Sequence, residues 1–264
     1  MRLAIAGKGG AGKTTISATL ARLEARAGRE VVAIDADSNP NLSTALGVAV
    51  DPATTATFLP FRLVSRRPEG PRLNLAVEEV LNRYAVPAPD GVRLSVMGMP
   101  DHADTGCLCS AHATVSALLS DLGERDDIVT IIDLEGTPEH LSRGTARHAD
   151  VLLLVAEPYF RSLETVRRLA TLASELPIPC VAVVANKIRS DTDLEVTQEF
   201  CARHGLEVLG AVPWDTSVTD ADSMRTPLIE LAPDGPVVAA VSALAEQVHR
   251  AARAALALST PGAH

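Results

Sequence analysis

A glycine-rich loop near the N-terminus restricts what this chain can fold into and bind. Residues 7–15 read Gly-Lys-Gly-Gly-Ala-Gly-Lys-Thr-Thr, which fits the phosphate-binding pattern G-x-x-x-x-G-K-[ST]. The apolar run 3–6 precedes the loop, and the segment 16–27, with helical periodicity, follows it. Glycines let successive backbone N–H groups point into one concavity, and the N-terminus of a following helix adds partial positive charge there. The loop therefore predicts polyphosphate binding rather than a turn that binds nothing.

The order of apolar segments predicts the fold class. Strand-like runs alternate with helical segments along most of the chain, which is typical of a mainly parallel sheet with helices on both faces. We predict a single-domain α/β P-loop NTPase fold over residues 1–258 and a disordered tail over 259–264. Residues 51–71, rich in Thr, Pro and Arg, are predicted to be irregular or short-helical. The other predicted strands are 31–34, 93–98, 128–132, 151–156, 179–185 and 208–212, and the later helices are 113–122, 163–176, 194–204 and 237–256.

Charge and hydropathy argue against several function classes. The chain has 264 residues, 24 of them Lys or Arg and 33 Asp or Glu, for a net charge of -9. This excess of acid works against binding of nucleic acid or anionic lipid. The longest apolar runs, 151–156 and 178–185, are too short to span a bilayer, and the N-terminus enters a strand at once. We expect a cytoplasmic protein with no nucleic-acid partner and no stable membrane association.

Within the loop, two side chains suit phosphate and metal binding. Lys13 would place its ammonium between the β- and γ-phosphates, and Thr14 would offer its hydroxyl to Mg²⁺. The strand 128–132 ends in Asp133, the arrangement of a Walker B element that completes a Mg²⁺ site. An acid at this position can alternatively do no more than cap a helix.

A second pair of acids follows the strand 31–34. Asp35-Ala36-Asp37 lies at its carboxyl end, and ligands of parallel sheets bind beyond the carboxyl ends of the strands. An acid here is placed to orient a water in line with the γ-phosphate. Spacing alone does not choose between Asp35 and Asp37.

Together these motifs resemble a known group of enzymes. Residues 7–15 are similar to the deviant Walker A motif of the MinD, ParA, ArsA and nitrogenase iron-protein superfamily, which belongs to the SIMIBI class. Asp35-Ala36-Asp37 resembles its switch I, and the stretch 133–136 resembles its switch II. The resemblance implies an ATPase that uses Mg²⁺ and forms a homodimer with ATP. It also implies that Asp37, rather than Asp35, is catalytic and joins Thr14 and Asp133 at Mg²⁺.

The resemblance further implies how the nucleotide is held. Lys8 would reach the partner's phosphates, where a cation stabilises charge on the transferring group, so Lys8, Lys13 and Asp37 form the catalytic set. The alternative is that Lys8 is a solvated loop lysine. Asn186 matches an asparagine that contacts adenine, and Pro213 lies where a backbone contact to the base is expected. The implied nucleotide-binding residues are Gly7, Lys8, Gly9, Gly10, Ala11, Gly12, Lys13, Thr14, Thr15, Asn186 and Pro213.

Three further stretches resemble the CooC-type ATPases, which are associated with nickel insertion into carbon monoxide dehydrogenase. They are residues 35–42, Cys107-Leu108-Cys109 and residues 139–145. The resemblance implies a metallochaperone whose client is a metalloenzyme, carbon monoxide dehydrogenase in that family. Residues 51–89 contain no recognised motif, and we expect partner specificity there. Glu139, His140 and Arg143 are predicted to be switch residues without a chemical role.

The cysteine pair predicts a metal site shared by two chains. Cys107 and Cys109 supply two thiolates, whereas tetrahedral Zn²⁺ usually takes four ligands. A two-fold axis beside the pair would supply the other two thiolates. Thiolates suit Zn²⁺ and Ni²⁺ alike, and His102 or His112 are candidate extra ligands. The alternative is two cysteines brought together by chance; Cys180 and Cys201 are predicted to be packing residues.

Two other functions fit parts of the sequence. A ParA- or MinD-like partitioning or positioning ATPase would share the nucleotide motifs, but the -9 charge and the cysteine pair argue against it. An iron–sulfur reductase would need a cluster cysteine after switch II, and residues 134–145 contain none. ATP-driven metal delivery is therefore the leading hypothesis.

Overall fold

The computed structural model describes residues 1–48, 58–67, 70–98, 109–136, 141 and 145–259. Strands and helices alternate through most of these ranges, as the sequence predicts. The strands within them are β1 Arg2–Gly7, β2 Glu30–Ala36, β3 Val64–Arg67, β4 Gly70–Leu73, β5 Val86–Pro87, β6 Arg93–Val96, β7 Ile128–Leu134, β8 Val151–Ala156, β9 Cys180–Ile188 and β10 Glu207–Pro213. The α-helices within them are α1 Lys13–Arg26, α2 Leu42–Leu46, α3 Val77–Tyr84, α4 Cys109–Leu122, α5 Phe160–Ala173, α6 Asp191–Arg203, α7 Thr216–Met224, α8 Leu228–Leu231 and α9 Pro236–Ser259.

Eight of the strands form one twisted sheet. Their order is β10-β9-β8-β1-β7-β2-β6-β5, and every neighbouring pair is parallel except β5 with β6 at one edge. The strands on one side of β1 are β7, β2, β6 and β5, and the strands on the other side are β8, β9 and β10. The strand order therefore reverses beside β1. Open parallel sheets bind ligands outside the strand ends at such a point. The predicted α/β class with a mainly parallel sheet is confirmed.

Helices cover both faces of the sheet because the central strands are apolar on both sides. In β1, Leu3 and Ile5 pack toward α1 and α9, whereas Ala4 and Ala6 pack toward α4 and α5. All of these side chains are buried. Strands of this kind read as continuous apolar runs rather than alternating ones, which is why the runs were visible in the sequence.

The 24-residue helix α9 packs on the sheet and does not stand apart from it. Its apolar stripe, which includes Val237, Val241, Leu244 and Val248, is buried against β10 and α1. Among the residues that the structure describes, no helix has the length and apolar character needed to cross a bilayer. The arginines of α9 therefore lie on a packed amphipathic helix.

The region after α2 differs from its prediction. The sequence predicts an irregular or short-helical segment over residues 51–71, but β3, which lies within it, pairs with β4 as an antiparallel hairpin. The arginines and the proline of this hairpin interrupt the alternation of apolar and polar residues that would predict strands. The hairpin is stabilised by packing on α4. Residues 49–57, 68–69 and the tail from 260 onward lie outside the described residues, so the predictions made for them stay predictions.

A buried arginine joins α1 to the segment that follows β2. Arg22 donates from Nη1 to the Leu46 carbonyl at 2.8 Å, at the end of α2. Its Nε bonds to the Asp90 carboxylate, and its Nη2 lies 2.9 Å from Glu230 in α8. The Arg22 side chain is 3% exposed, so these partners replace most of its hydration. One guanidinium therefore fixes three separate segments against α1.

We expect Arg22→Ala to destabilise the fold by about 2–4 kcal/mol, because it leaves the buried Leu46 carbonyl without its donor and removes the bonds of the guanidinium to Asp90 and Glu230. The measurement is the free energy of unfolding in urea. Arg26→Ala is the matched control, since Arg26 also bonds to Asp90 but is 40% exposed. It should cost less than about 1 kcal/mol. Equal losses in the two variants would contradict the structural role of Arg22.

Candidate functional site

The glycine-rich loop closes a cup between β1 and α1. Gly10 and Gly12 adopt left-handed backbone angles, with φ of 79° and 96°, which glycine reaches without a steric penalty. The Ala11 amide donates to the Lys8 carbonyl at 3.1 Å, and Ala11 is buried under the loop. Helix α1 then begins at Lys13, so its N-terminus faces the cup as predicted.

The start of the loop is packed tightly between β8 and the residues that follow β7. Gly7 is paired with Val155 of β8, and a side chain at Gly7 would collide with the Val155 backbone. On the other side, a methyl group at Gly136 would lie 2.7 Å from the Gly9 nitrogen and 2.9 Å from the Gly7 carbonyl oxygen. Gly136, which follows β7 in the predicted switch II, therefore touches the start of the loop. Because the two backbones are this close, a displacement of Gly136 toward the loop requires the start of the loop to move as well.

Asp133 meets the first turn of α1 beside the cup. Its carboxylate accepts a hydrogen bond from the Thr14 hydroxyl at 2.6 Å and another from the Ser17 hydroxyl at 3.1 Å. Lys13 is also buried, and its ammonium donates to the Lys8 carbonyl at 3.4 Å. The structure thus brings Lys13, Thr14 and Asp133 together, as the motif requires.

Two neighbouring carboxylates are buried at this edge of the sheet, and burial raises the pKa of both. Asp35 in β2 is directly paired with Asp133 in β7. Burial, together with the charge of Asp35, raises the pKa of Asp133 to about 7 against the hydrogen bond from Thr14. Burial likewise raises the pKa of Asp35 to about 6, although backbone N–H groups of Leu42 and Asp37 partly oppose this. An oxygen-lined pocket with clustered acids is a suitable environment for Mg²⁺.

Asp35 and Asp37 have different surroundings. The Asp35 carboxylate accepts from the Leu42 amide at 2.8 Å and from the Asp37 amide at 3.2 Å. Its oxygens therefore hold the two ends of the loop that leads into α2. Asp37 is only partly buried, and one of its oxygens accepts from the Asn39 amide at 2.8 Å. Of the two acids, Asp37 is the more accessible from the cup's side of the sheet.

The end of β9 braces the loop from outside. Asn186 is buried, and its amide nitrogen donates to the Ala11 carbonyl at 2.6 Å. Lys187 donates to the Gly10 carbonyl at 2.6 Å and pairs with Glu157 at 3.0 Å. The resemblance implies that Asn186 contacts adenine, so its hydrogen bond to the loop is an additional contact.

Sequence reasoning missed Lys187, although a signal for it existed. The sequence contains only three lysines, Lys8, Lys13 and Lys187, among 24 basic residues. Two of them belong to the phosphate-loop motif, and the third also contacts this loop. The scarcity of lysine could therefore have identified Lys187.

A cavity of about 1070 Å³ opens beside the start of α1. Its walls come from α1, from the segment around α2, and from α7 and α8. Asn186 and Pro213 do not line it; Pro213 ends β10, paired with Ile188. The cavity is large enough for a nucleoside next to the phosphate cup. Its lining residues are Thr14, Thr15, Ala18, Thr19, Asn41, Thr44, Ala45, Gly47, Val48, Val218, Ala221, Asp222, Arg225, Thr226, Pro227, Leu228 and Glu230.

The cysteine pair is only partly described. Cys109 is exposed at the first residue of α4, whereas Cys107 and His102 lie outside the described residues. His112 is buried, with Nδ1 3.0 Å from the Thr145 hydroxyl. Within the described ranges, no group of three His, Cys, Asp or Glu side chains forms a metal site. Glu139, His140 and Arg143 also fall outside those ranges.

The other two cysteines lie where packing residues are expected. Cys201, a residue of α6, is fully buried in the core, and burial raises the pKa of its thiol to about 11. Cys180 is half-buried at the start of β9 and packs against the opposite core. Protonated thiols of this kind are poor metal ligands.

Comparison with known families agrees with this geometry. Residues 3–228 match the family described as the CobQ/CobB/MinD/ParA nucleotide binding domain. The match begins in β1 and ends at the start of α8, so it includes the loop, both acidic strand ends and the braces from β9.

Individual proteins support the same grouping. The carbon monoxide dehydrogenase accessory protein CooC of Rhodospirillum rubrum is 33% identical over 88% of this chain and 91% of its own length. The MinD cell division protein of Aquifex aeolicus has a similar fold, with a TM-score of 0.71, 19% identity and coverage of 94% and 96% of the two chains. A septum site-determining MinD of Pyrococcus horikoshii, solved with Mg-ADP, has a TM-score of 0.67, 20% identity and coverage of 97% and 99%.

The raised pKa of Asp133 generates a pH-dependent prediction. A carboxyl group must lose its proton to act toward Mg²⁺, and this proton is held until the pH exceeds about 7. We therefore expect affinity for Mg²⁺ with ADP to weaken by about fivefold as the pH falls from about 7 to about 6, because the ionised fraction of a group with this pKa falls by that factor. Titration calorimetry at several pH values measures this.

The control for this experiment is Asp133→Asn, which has no proton to lose at this position. It should bind more weakly at high pH and lack the added pH dependence, apart from the titration of ADP itself. ADP without Mg²⁺ gives that remaining dependence. Identical pH profiles for the parent and Asp133→Asn would show that Asp133 is not the group that titrates.

Proposed function

The chain belongs to the family of CobQ/CobB/MinD/ParA nucleotide-binding domains, and from this premise we propose that it is a homodimeric ATPase that assists metal insertion into an enzyme. ATP hydrolysis itself follows from the family. The single observation that carries metal insertion is the 33% identity, over 88% of this chain, with an accessory protein of carbon monoxide dehydrogenase.

The nucleotide is proposed to bind with its phosphates in the cup. Residues 7–15 would contact the phosphates through backbone N–H groups, with the Lys13 ammonium between the β- and γ-phosphates. Thr14, Asp37 and Asp133 would hold Mg²⁺, directly or through water, and the bond between Thr14 and Asp133 supports this set. Bound Mg²⁺ offsets negative charge on the phosphate oxygens.

Asp37 is proposed to orient the attacking water. Asp35 uses its carboxylate oxygens to bind the amides of the loop, so Asp37 is the acid with room for a water. The loop bonds hold Asp37 at the edge of the site and thereby fix its position. This division of roles supports the choice of Asp37.

The base is proposed to lie beside the phosphate cup at the ends of β9 and β10, outside the cavity described above. Asn186 uses its amide nitrogen on the Ala11 carbonyl, so its carbonyl oxygen is the atom that suits the donor amino group of adenine. Pro213 ends the adjacent strand, and its backbone carbonyl is proposed as a further contact.

Lys8 is proposed to act in the second subunit of an ATP-bound dimer. A cation that enters from a partner stabilises the charge of the transferring phosphoryl group, as an arginine finger does. The same contact makes dimerisation depend on the nucleotide. ATP binding would then close two protomers around two shared sites.

The metal is proposed to be cargo held by Cys107 and Cys109 from both protomers. Four thiolates around a two-fold axis suit Zn²⁺ in tetrahedral form and Ni²⁺ in square-planar form. Nucleotide-dependent closure would bring the two pairs together, and hydrolysis would separate them. The client is proposed to be a nickel enzyme of the carbon monoxide dehydrogenase type.

Lys8→Ala tests the proposed dimer. We expect loss of ATP-dependent dimerisation and a fall in hydrolysis of about a thousandfold, the lower range for such cations. Sedimentation velocity with a slowly hydrolysed ATP analogue and phosphate release measure the two effects. Arg161→Ala is the control, because it removes an exposed cation at the same edge of the sheet. A Lys8→Ala protein that dimerises and hydrolyses ATP like the parent would disprove the role.

Cys107→Ser with Cys109→Ser tests the metal site. The parent dimer should carry about one Zn²⁺ or Ni²⁺, because two symmetric pairs make one four-thiolate site. The double variant should carry none while binding ATP normally. Cys180→Ala is the control that removes a half-buried thiol elsewhere. Metal retained by the double variant, measured by mass spectrometry of native dimers, would place the site elsewhere.

A further inference from the structure

The Lys8 ammonium lies over an aromatic ring of its own chain. Its Nζ is 5.9 Å from the ring centroid of Tyr159, within the range of a cation–π interaction. Strand pairing explains this contact between Lys8 and Tyr159, since Gly7 of β1 is paired with Val155 of β8. The residues that follow these two parallel strands emerge at the same edge, so Lys8 and the segment 157–159 become neighbours.

The ring of Tyr159 is itself fixed. Its hydroxyl donates to Glu157 Oε1 at 3.1 Å, and its amide donates to the Glu157 carbonyl at 2.7 Å. The other oxygen of Glu157 lies 3.0 Å from Lys187 Nζ, which also donates to the Gly10 carbonyl. Contacts therefore run from Lys8 through Tyr159, Glu157 and Lys187 back to Gly10. Both ends of this circuit are in the phosphate loop.

Lys8 has one ammonium and cannot serve two sites. Lying on Tyr159, it is unavailable to a phosphate in another subunit. The ring is 40% exposed, which places the contact at the weaker end of cation–π interactions, a factor of about two to five in an equilibrium. A two-fold dimer releases two such lysines. The combined factor opposing dimerisation is then the square, about four to twenty-five.

We propose that Tyr159 is a positioning residue that holds Lys8 within its own protomer until a nucleotide-loaded partner draws it away. The proposal rests on the cross-subunit role of Lys8 given above. It makes the resting protomer resist dimerisation without ATP, because only a polyphosphate competes effectively with the ring. Glu157 and Lys187 keep the ring aligned with the loop.

The first test compares Tyr159→Leu, which removes the ring, with Tyr159→Phe, which keeps it. With a slowly hydrolysed ATP analogue, Tyr159→Leu should lower the dimer dissociation constant by about four- to twenty-five-fold, and Tyr159→Phe should stay near the parent. In a Lys8→Ala background, in which we expect ATP-dependent dimerisation to be lost, Tyr159→Leu should not restore it. Unchanged or weaker dimerisation in Tyr159→Leu would overturn the proposal.

The second test observes Lys8 without nucleotide. With only three lysines in the sequence, reductive ¹³C-methylation gives a simple NMR spectrum, and Lys8→Arg identifies the Lys8 signal. The ring current of Tyr159 should shift this signal. The shift should disappear in Tyr159→Leu and persist in Tyr159→Phe. Methylation keeps the charge of the amine, so the contact is preserved.

The two tests separate this proposal from the function on which it rests. A Lys8 signal that does not respond to Tyr159→Leu overturns the holding contact, even if Lys8→Ala abolishes dimerisation. A Lys8→Ala protein that still dimerises and hydrolyses ATP overturns the cross-subunit role, whatever the NMR signal does. Agreement of both tests with expectation supports both statements.

Discussion

The buried carboxylate of Asp133 is the constraint on which the rest of the site depends. Strand β7 lies between β1 and β2, so Asp133 lies beside Ile5 on one side and Asp35 on the other. Removing a carboxylate from water is unfavourable, and charge-assisted hydrogen bonds return about 1.5–3 kcal/mol each. Here the hydroxyls of Thr14 and Ser17 supply them. Satisfying this acid thus fixes the first turn of α1, and with it the cup.

The segment from the end of β2 to the end of α2 is held by charged side chains. Asp35 accepts hydrogen bonds from the amides of Asp37 and Leu42, at the two ends of the loop between β2 and α2. Arg22 binds the Leu46 carbonyl at the end of α2. The Asp35 carboxylate neighbours that of Asp133, and its charge acts on Asp133. Because Asp35 also accepts a hydrogen bond from the Leu42 amide, this pair of acids is connected directly to the start of α2.

Sequence pattern was sufficient for the elements with a strong period. The strands of the central sheet other than β5, and the helices α1, α4, α5, α6 and α9, were predicted, because continuous apolar runs and helical spacing mark elements buried on one or two faces. The hairpin at 64–73, the strand β5 and the helices α2, α3, α7 and α8 were not. The hairpin and α7 are largely polar, so they show no clear apolar period. The other four elements have only two to eight residues, which is too short for a period to identify them.

The same distinction holds for the site. Lys13, Thr14 and Asp133 follow from a motif whose chemistry requires their positions, and the structure brings them together. The separate roles of Asp35 and Asp37 required knowing which carboxylate the loop amides use. The braces at Asn186 and Lys187 required the pairing of strands more than 170 residues from the loop. No spacing of residues in the sequence predicts such tertiary contacts, because each of them depends on the order of the strands in the sheet.

The use of lysine in this chain has a physical rationale. Arginine serves every other basic position, yet all three lysines contact or belong to the phosphate loop. A compact ammonium fits a cup lined by backbone groups, whereas a planar guanidinium needs a wider site. Three ammonium groups in one place repel one another, and each has a separate partner: the Lys8 carbonyl, the Glu157 carboxylate and the Tyr159 ring. Two of these partners hold their lysine firmly, whereas the ring holds Lys8 weakly. Lys8 is therefore the lysine with the weakest of the three partners, which is what its proposed role in a second subunit requires.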